Sequence, residues 1–331
     1  MIRKFLIVAM ILPAIAWGQE VTKVGTAGAK FLSINVIPRA AAMGDAYVAV
    51  ANDVSSPFWN PAGIANVEHN GVFIGYTNWL VDTKYPAVSV VKDFGLMGKI
   101  AFFMNGVHIP GFEAVQLSPG GIRDYGEFSY SALQTGVTYA KYFTDKFAAG
   151  VNLKFLYEDY GKYDFIEGSP HPVAYGVALD AGTYFNTGWK SLRVSMSLQN
   201  LGPDMKPSGN YVHEIVEGSQ MIAETLNFRA YPLPMVFRLG AAMEVLEDEN
   251  KRLTLAVEAT HPNDNKETFS IGSEFQLKHL ITLRAGYKLG VDEGGLSAGA
   301  GLSVKGIRID YSFSDFGALP DIHRIGLFYK F

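Results

Sequence analysis

The chain has 331 residues, contains no Cys and carries a formal net charge of −4 at pH 7. The lack of Cys excludes disulfides, Cys-zinc sites and thiol catalysis, and the acidic balance argues against nucleic acid as a partner. The 35 Gly residues and the 13% share of aromatic residues are typical of membrane barrels. They also suit a secreted β-sandwich, so the strand pattern has to decide.

Residues 1–18 have the layout of a secretory signal peptide. Two basic residues precede an apolar run from Phe5 to Ala16, and small residues occupy the two positions that a signal peptidase recognises. The run is too short for a membrane-spanning helix, which needs roughly 20 residues. We therefore expect cleavage before Gln19, which leaves 26 basic against 32 acidic residues. No later stretch is apolar enough to predict a transmembrane helix.

Residues 19–69 lack regular alternation, and we predict that they form a plug, or hatch, inside a barrel. Asn before Pro cannot continue a helix and Pro fixes its own φ, so the motif Asn60-Pro61-Ala62-Gly63 predicts a rigid turn. Glycines on the inward face of the barrel would leave room for such a plug. These are Gly286, Gly299 and Gly301. The alternative is a loose periplasmic extension.

From residue 70 to residue 331 the sequence alternates with period two, which predicts strands with two different faces. The predicted strands lie near 70–77, 85–92, 97–105, 128–141, 147–158, 173–186, 190–200, 234–246, 252–261, 267–277, 280–288, 295–304, 307–314 and 323–331. Every second connection is short, whereas three of the others, 106–127, 159–172 and 201–233, are long. This asymmetry favours an all-β fold, a transmembrane antiparallel β-barrel of about 14 strands with periplasmic turns and external loops.

Charged residues recur on the inward face of the predicted strands. The set that we single out is Glu258, Glu274, Arg284, Arg308 and Asp310. Buried charges have to be paired and hydrogen-bonded, and a plug with Asn52, Asp53 and Asn60 offers partners. We therefore interpret this set as a charge network in the lumen that holds the plug, and a path for solutes is the alternative.

The long loop 201–233 is unusually apolar for an external connection. Its candidate residues for contact with a partner or ligand are Ile215, Val216, Met221, Ile222, Leu226 and Phe228. Exposed apolar loops often mark interaction surfaces. In a secretion protein, this loop together with Gly106–Glu127 is expected to hold a protein. In a transporter it would gather a hydrophobic molecule at the barrel mouth, and the remaining alternative is a lid that packs on itself.

Three motifs in the plug region carry a resemblance to a known family. They are Gly28-Ala29-Lys30-Phe31-Leu32-Ser33-Ile34, Arg39-Ala40-Ala41-Ala42-Met43-Gly44-Asp45-Ala46-Tyr47-Val48-Ala49-Val50-Ala51-Asn52-Asp53 and Phe58-Trp59-Asn60-Pro61-Ala62-Gly63-Ile64-Ala65. On these residues the chain resembles the PorV/PorQ family, which is similar to FadL-type barrels with an Asn-Pro-Ala motif in an N-terminal hatch. The chain differs from the family at Asp45, where members more often have a second Gly, and this difference bears on the local backbone geometry.

The resemblance implies a role in type IX protein secretion at the bacterial outer membrane. Family members resemble either shuttles that carry cargo from the translocon or subunits of the cell-surface attachment complex. The implied partners are therefore the outer-membrane lipid, the secretion translocon and the C-terminal domains of cargo proteins. The alternatives are a FadL-like transporter of hydrophobic small molecules, with such a molecule as its ligand, and a purely structural barrel.

The sequence offers no pattern that predicts catalysis, a metal site or a cofactor. The seven His residues are scattered without the spacing of metal ligands, and neither a Gly-x-Ser-x-Gly motif nor a phosphate-binding Gly loop occurs. We therefore expect a protein that is not an enzyme and needs no cofactor.

Overall fold

The computed structural model describes residues 24–81, 83–118, 121–162, 171–217 and 220–331. The predicted signal peptide, residues 1–18, lies outside the described residues, and so do the side chains of four members of the predicted partner loop, Ile215, Val216, Met221 and Ile222. The division into a signal peptide, a segment 19–69 and a barrel from residue 70 stays a prediction.

Fourteen of the strands in the described residues form a closed antiparallel barrel, as the alternation predicts. These strands are β1 (Gly71–Asn78), β2 (Lys84–Asp93), β3 (Lys99–Ser118), β4 (Gly121–Tyr142), β5 (Phe147–Asp159), β6 (Val173–Asn186), β7 (Arg193–Leu201), β10 (Val236–Glu247), β11 (Lys251–Pro262), β12 (Thr268–Leu277), β13 (Ile281–Leu289), β14 (Leu296–Val304), β15 (Ile307–Ser314) and β16 (Ile322–Lys330). The barrel closes where β1 pairs with β16 from Gly71↔Lys330 to Asn78↔His323.

Two further strands, β8 (Asn210–Glu217) and β9 (Gln220–Asn227), form a separate hairpin in the connection between β7 and β10. A short helix, α1 (Pro38–Ala42), and the 3₁₀ turns Lys30–Ser33, Ser56–Phe58 and Pro61–Asn66 precede the barrel. Among the described residues, none of the helices has both the length and the apolar character that crossing a membrane requires.

The two faces of the wall differ as period-two alternation dictates. On β5 the outward-facing Val151, Leu153 and Phe155 are between 45% and 60% exposed, whereas the inward-facing Asn152 and Lys154 are buried. Similar exposed apolar residues occur on the outward face of the other barrel strands. An apolar belt of this extent is stable against lipid and unfavourable against water.

The connections at one end of the barrel are all short turns, whereas the longest connection, between β7 and β10, lies at the other end. We name these the short-turn end and the long-loop end. The turns Lys278-His279 and Lys305-Gly306 have positive φ at both central residues, as two-residue hairpin turns require. Because β1 begins at the short-turn end, every connection that leaves an odd-numbered barrel strand up to β7 lies at the long-loop end.

The structure differs from the prediction in the region 106–127, which is not a loop. β3 and β4 continue through it and pair as far as Ser118↔Gly121. Two β-bulges, between Ile109 and Phe112 and between Glu113 and Val115, shift the register there. Each extra residue at a bulge reverses the inward-outward alternation, so the strands had no period-two signature in the sequence.

Candidate functional site

The N-terminal segment, residues 24–70, runs along the lumen from the long-loop end to the short-turn end. At the long-loop end the Gly28 N–H donates to the Pro232 carbonyl at 3.1 Å. At the short-turn end the Asp93 N–H donates to the Asn70 side chain at 2.9 Å. The segment therefore contacts both ends of the barrel.

The Asn60-Pro61-Ala62-Gly63 motif lies against the wall near the short-turn end. The Asn60 amide donates to the carbonyls of Val48 and Thr183 at 3.0 and 3.1 Å, and its Oδ1 accepts the Ala62 N–H at 3.1 Å. Asn60 thus caps the turn Pro61–Asn66 and joins it to β6. A Cβ on Gly182 would lie 2.0 Å from Asn60 Oδ1, so only Gly fits opposite this motif.

The three inward glycines singled out in the sequence differ in what they face. A Cβ on Gly286 would lie 2.0 Å from the carbonyl carbon of Met43, and a Cβ on Gly299 would lie 2.6 Å from α1. A Cβ on Gly301 would instead meet the Asp310 carboxylate at 2.3 Å. Two of the three therefore allow close approach of the N-terminal segment, and the third makes room for charged side chains of the wall.

Six charged side chains in the lumen, three of them buried and three half-buried, form a closed ring of alternating sign. In order around the ring they are Arg39, Glu274, Arg284, Asp310, Arg308 and Asp53. Four come from β12, β13 and β15, and the other two come from the N-terminal segment. The ring carries no net charge, which is the condition for burying so many ions.

The N-terminal segment joins this ring at two places. Arg39 donates to both carboxylate oxygens of Glu274, at 2.7 and 2.8 Å, and this fork-to-fork geometry is the strongest for such a pair. Asp53 accepts from Arg308 at 2.7 Å and from Arg39 at 3.1 Å. Burial raises the pKa of the Asp53 carboxyl, but the charges of Arg308 and Arg39 outweigh burial and hold that pKa well below its usual range.

The wall side chains close the ring on the far side. Arg284 donates to Glu274 at 2.6 Å and to Asp310 at 2.9 Å, and Arg308 Nε lies 2.9 Å from the second oxygen of Asp310. Four of the five lumen charges proposed from the sequence are therefore brought together in one network.

The fifth residue, Glu258, lies outside the ring and binds the backbone of the N-terminal segment. Its fully buried carboxylate accepts the N–H groups of Tyr47 and Val48 at 2.8 and 2.6 Å, and the Trp59 indole at 3.2 Å. The Arg238 guanidinium lies 3.5 Å from the carboxylate and 4.2 Å from the centre of the Trp59 ring. Glu258 thus satisfies backbone donors that would otherwise be buried without partners.

Asp45, the residue that departs from the family pattern, has a left-handed backbone with φ of 69°. This conformation favours Gly, and Asp is among the few other residues that tolerate it. The Asp45 carboxylate accepts from the Asn35 amide at 2.6 Å and pairs with the Lys288 ammonium. Burial raises the pKa of Asp45, but Lys288 outweighs burial and lowers it overall. Asp45 therefore has a backbone conformation that Gly usually adopts, and its carboxylate makes contacts that Gly could not make.

The set of lumen charges singled out from the sequence leaves out two further ion pairs of the lumen. Lys154 on β5 lies 2.7 Å from Asp180 on β6, and Arg193 on β7 lies 2.7 Å from Glu244 on β10. Arg193 also donates to the Ala49 carbonyl of the N-terminal segment at 2.7 Å. Extending the inward alternation along β5 and β6 would have found the first pair.

The predicted partner loop is organised around the β8–β9 hairpin. In the backbone register, Ile215 faces Ile222 and Val216 faces Met221. At the base of the hairpin Leu226 and Phe228 are half-buried, and the Phe228 ring lies 5.2 Å from that of Tyr211. The six residues therefore belong to one hairpin and its base.

A group of tyrosines joins this loop to the barrel wall and the N-terminal segment. Tyr231 donates to the buried Glu158 carboxylate at 2.5 Å and its hydroxyl lies 2.7 Å from that of Tyr160. A Cβ on Gly28 would lie 2.1 Å from the Tyr231 ring. The long loop thus packs on the start of the described N-terminal segment.

A small cavity lies between the N-terminal segment and the wall. Its volume of about 20 Å³ has room for roughly one or two water molecules. Four polar residues of the wall line it, namely Asn105, Gln134, Gln199 and Arg238. This lining suits water better than an apolar molecule. Within the described residues, no group of three or more His, Asp or Glu side chains is placed to bind a metal ion.

Comparisons with known proteins agree on the fold and point to one family. The model of the family described as type IX secretion system protein PorV matches residues 18–262. A sequence comparison with curated proteins finds no match.

Solved structures similar to this chain are outer-membrane barrels of the FadL type. The toluene transporter TbuX of Ralstonia pickettii is 14% identical with a TM-score of 0.61, and the match covers 89% of this chain and 98% of that one. The CymD monoaromatic hydrocarbon channel is 13% identical with a TM-score of 0.58, covering 90% and 98%. A FadL homologue of Pseudomonas aeruginosa is 10% identical with a TM-score of 0.55, covering 89% and 98%. At these identities the similarity shows the fold alone.

Proposed function

Because the chain belongs to the family described as type IX secretion system protein PorV, we propose that it binds secreted proteins through its long-loop end, as a shuttle or as a subunit of an attachment complex. It is a bacterial outer-membrane protein with a FadL-like barrel of 14 strands. In the proposed orientation the short turns face the periplasm and the long-loop end faces the exterior. The partners are the translocon and the C-terminal domains of secreted proteins.

The family membership carries this proposal, and the contents of the lumen support it. The N-terminal segment acts as a plug, held by the charge ring and by Glu258. Because this segment occupies the lumen along its length, a large partner cannot enter the barrel. The long-loop end is then the surface that such a partner can reach. There Leu226 and Phe228, half-buried at the base of the β8–β9 hairpin, supply apolar contacts for a protein.

Transport of hydrophobic small molecules is the second candidate. The observation that favours it is the barrel shared with proteins titled as toluene transporter and monoaromatic hydrocarbon channel. The polar lining of the cavity beside Asn105 and Gln134 disfavours an apolar path at that place. Neither protein secretion nor the transport of small molecules requires this chain to catalyse a reaction. Because the known proteins with this family and fold serve transport and secretion, we propose that the chain is not an enzyme.

The first experiment is a gentle detergent purification from native membranes, followed by mass spectrometry of both proteins and small molecules. Co-purified translocon subunits, or secreted proteins that share a C-terminal domain, are the expected result. A barrel that purifies alone with a bound fatty acid or another hydrophobic molecule would refute the secretion role and favour transport.

A further inference from the structure

The β3–β4 hairpin extends beyond the barrel wall as a ribbon of two strands. β2 pairs with β3 only as far as His108, and β5 pairs with β4 only from Ser131. The pairing of β3 with β4 nevertheless continues to Ser118↔Gly121. We name residues 109–118 and 121–130 the ribbon. It lies at the long-loop end and has no further strand beside it among the described residues.

The ribbon exposes three large apolar side chains among its described residues. Val115 and Ile122 are 59% and 71% exposed. Phe112 pairs across the ribbon with Phe128, and their stacked rings are 5.3 Å apart. An isolated hairpin is marginally stable in water, so apolar side chains left at its surface favour contact with another molecule.

Charge identifies the kind of molecule that fits. Glu113 and Glu127 stand directly opposite each other across the ribbon, and both are exposed. Like charges in this position destabilise a strand pair. Among the described residues neither carboxylate has a hydrogen-bond or ion-pair partner, so no described contact offsets the repulsion between them. A cationic side chain between the two carboxylates would remove the repulsion.

The connections around the ribbon also carry an excess of negative charge. At the long-loop end, the ribbon and the described parts of the connections (79–81, 83, 160–162, 171–172, 202–217, 220–235, 263–267, 290–295 and 315–321) contain 13 acidic against 5 basic residues. At the short-turn end, the turns 94–98, 143–146, 187–192, 248–250, 278–280 and 305–306 contain 3 acidic against 4 basic residues. The negative field is therefore confined to one end, where it attracts cationic partners and repels anionic surfaces.

We propose that one face of the ribbon is a docking site for a basic protein surface, with Lys or Arg side chains of the partner between Glu113 and Glu127 and apolar side chains on Val115 and Ile122, which lie on the same face as the two carboxylates. The inference rests on the proposed function only in taking the partner to be a secreted protein. It adds the place of contact and the charge of the surface that is recognised.

The test uses the secreted proteins that co-purify with the intact wild-type barrel. In the double variant Glu113→Gln and Glu127→Gln the shape of the ribbon is kept while two charges are removed. The matched control is Glu68→Gln with Glu249→Gln, which makes the same change in net charge at two exposed positions of the short-turn end. We expect the ribbon variant to bind the purified partner about tenfold more weakly at low salt. The difference should shrink at high salt, and the control should bind as the wild type does.

A carbodiimide, which joins a carboxylate to an amine in direct contact, provides a second measurement. Treatment of the wild-type complex should link Glu113 or Glu127 to a Lys of the partner, and mass spectrometry of the peptides identifies the link. Equal binding by the ribbon variant and the wild type, with no such link, would overturn the docking site while leaving the secretion role intact. If no secreted protein co-purifies at all, the secretion role fails first and the docking proposal falls with it.

Discussion

Replacing Arg39 by Met tests whether the charge ring holds the N-terminal segment in the lumen. The substitution keeps most of the side-chain volume but removes the fork that binds Glu274 and one of the two cations that face Asp53. The ring changes from neutral to a net charge of −1 with its acidic members still buried. Removing one partner of a buried pair costs about 3–5 kcal/mol, and we expect a loss of this size in the stability of the attached segment.

The readout is hydrogen exchange of the backbone amides of Tyr47 and Val48, measured in detergent. Neither amide needs the ring for its own hydrogen bond, since both donate to Glu258, so faster exchange reports release of the whole segment. A loss of about 3–5 kcal/mol corresponds to an acceleration of about 140-fold to several thousand-fold, since each ~1.4 kcal/mol is a factor of ten. The amides of the barrel strands should keep their protection.

A double variant separates ionic pairing from lost packing. Arg39→Met together with Glu274→Met restores a neutral ring, since Arg284, Asp310, Arg308 and Asp53 remain. We expect the double variant to be less destabilised than the sum of the two single variants by at least about 1 kcal/mol. Strict additivity, or unchanged exchange in Arg39→Met, would refute the argument that neutrality of the ring fixes the segment.

Three further predictions concern other contacts of the segment. Gly286→Ala forces a Cβ to within 2.0 Å of the carbonyl carbon of Met43, so we expect a loss of about 1–3 kcal/mol in segment stability, measured by hydrogen exchange. Glu258→Gln keeps the shape but weakens charge-assisted hydrogen bonds, and a loss of about 1–3 kcal/mol should accelerate exchange of the backbone N–H groups that it accepts. Because the folded-state pKa of Asp53 lies below its unfolded value of about 3.9, its carboxylate stabilises the segment above pH ~4, and this contribution is lost as the pH falls below that value. Proteolysis of the segment at pH 3 and pH 7 should therefore differ more in the wild type than in Asp53→Asn.

The sequence predicted the barrel well because the chemistry of the wall repeats. Lipid on one side and packed lumen on the other enforce period two, so strands such as β11 and β13 could be placed within a few residues. The ribbon was missed for the converse reason. Once β3 and β4 leave the wall, nothing enforces alternation, and the bulges near Ile109 and Glu113 remove it.

The sequence could predict which wall residues belong to the charge network, but not which residues pair with one another. Alternation places Glu274, Arg284, Arg308 and Asp310 on the inward face, whichever partners they bind. Arg39 could not be paired with Glu274 from the sequence, since the two lie 235 residues apart and the contact depends on how the segment lies in the lumen. Glu258 was assigned to the same set although it binds backbone N–H groups, because a strand pattern shows the direction of a side chain and not what it meets.

The course of the N-terminal segment has a consequence for the order of assembly. Its two ends contact opposite ends of a barrel whose wall is sealed where β1 meets β16. Its ion-pair partners on β12, β13 and β15 lie among the last strands of the chain. We therefore expect the final strands to fold onto a segment that is already inside, so that the seam closes around it. Pairing between strands that lie far apart in the sequence, such as β1 and β16, is intrinsically slow. A variant with a weakened charge ring should therefore accumulate as an unsealed sheet before it is lost from the membrane.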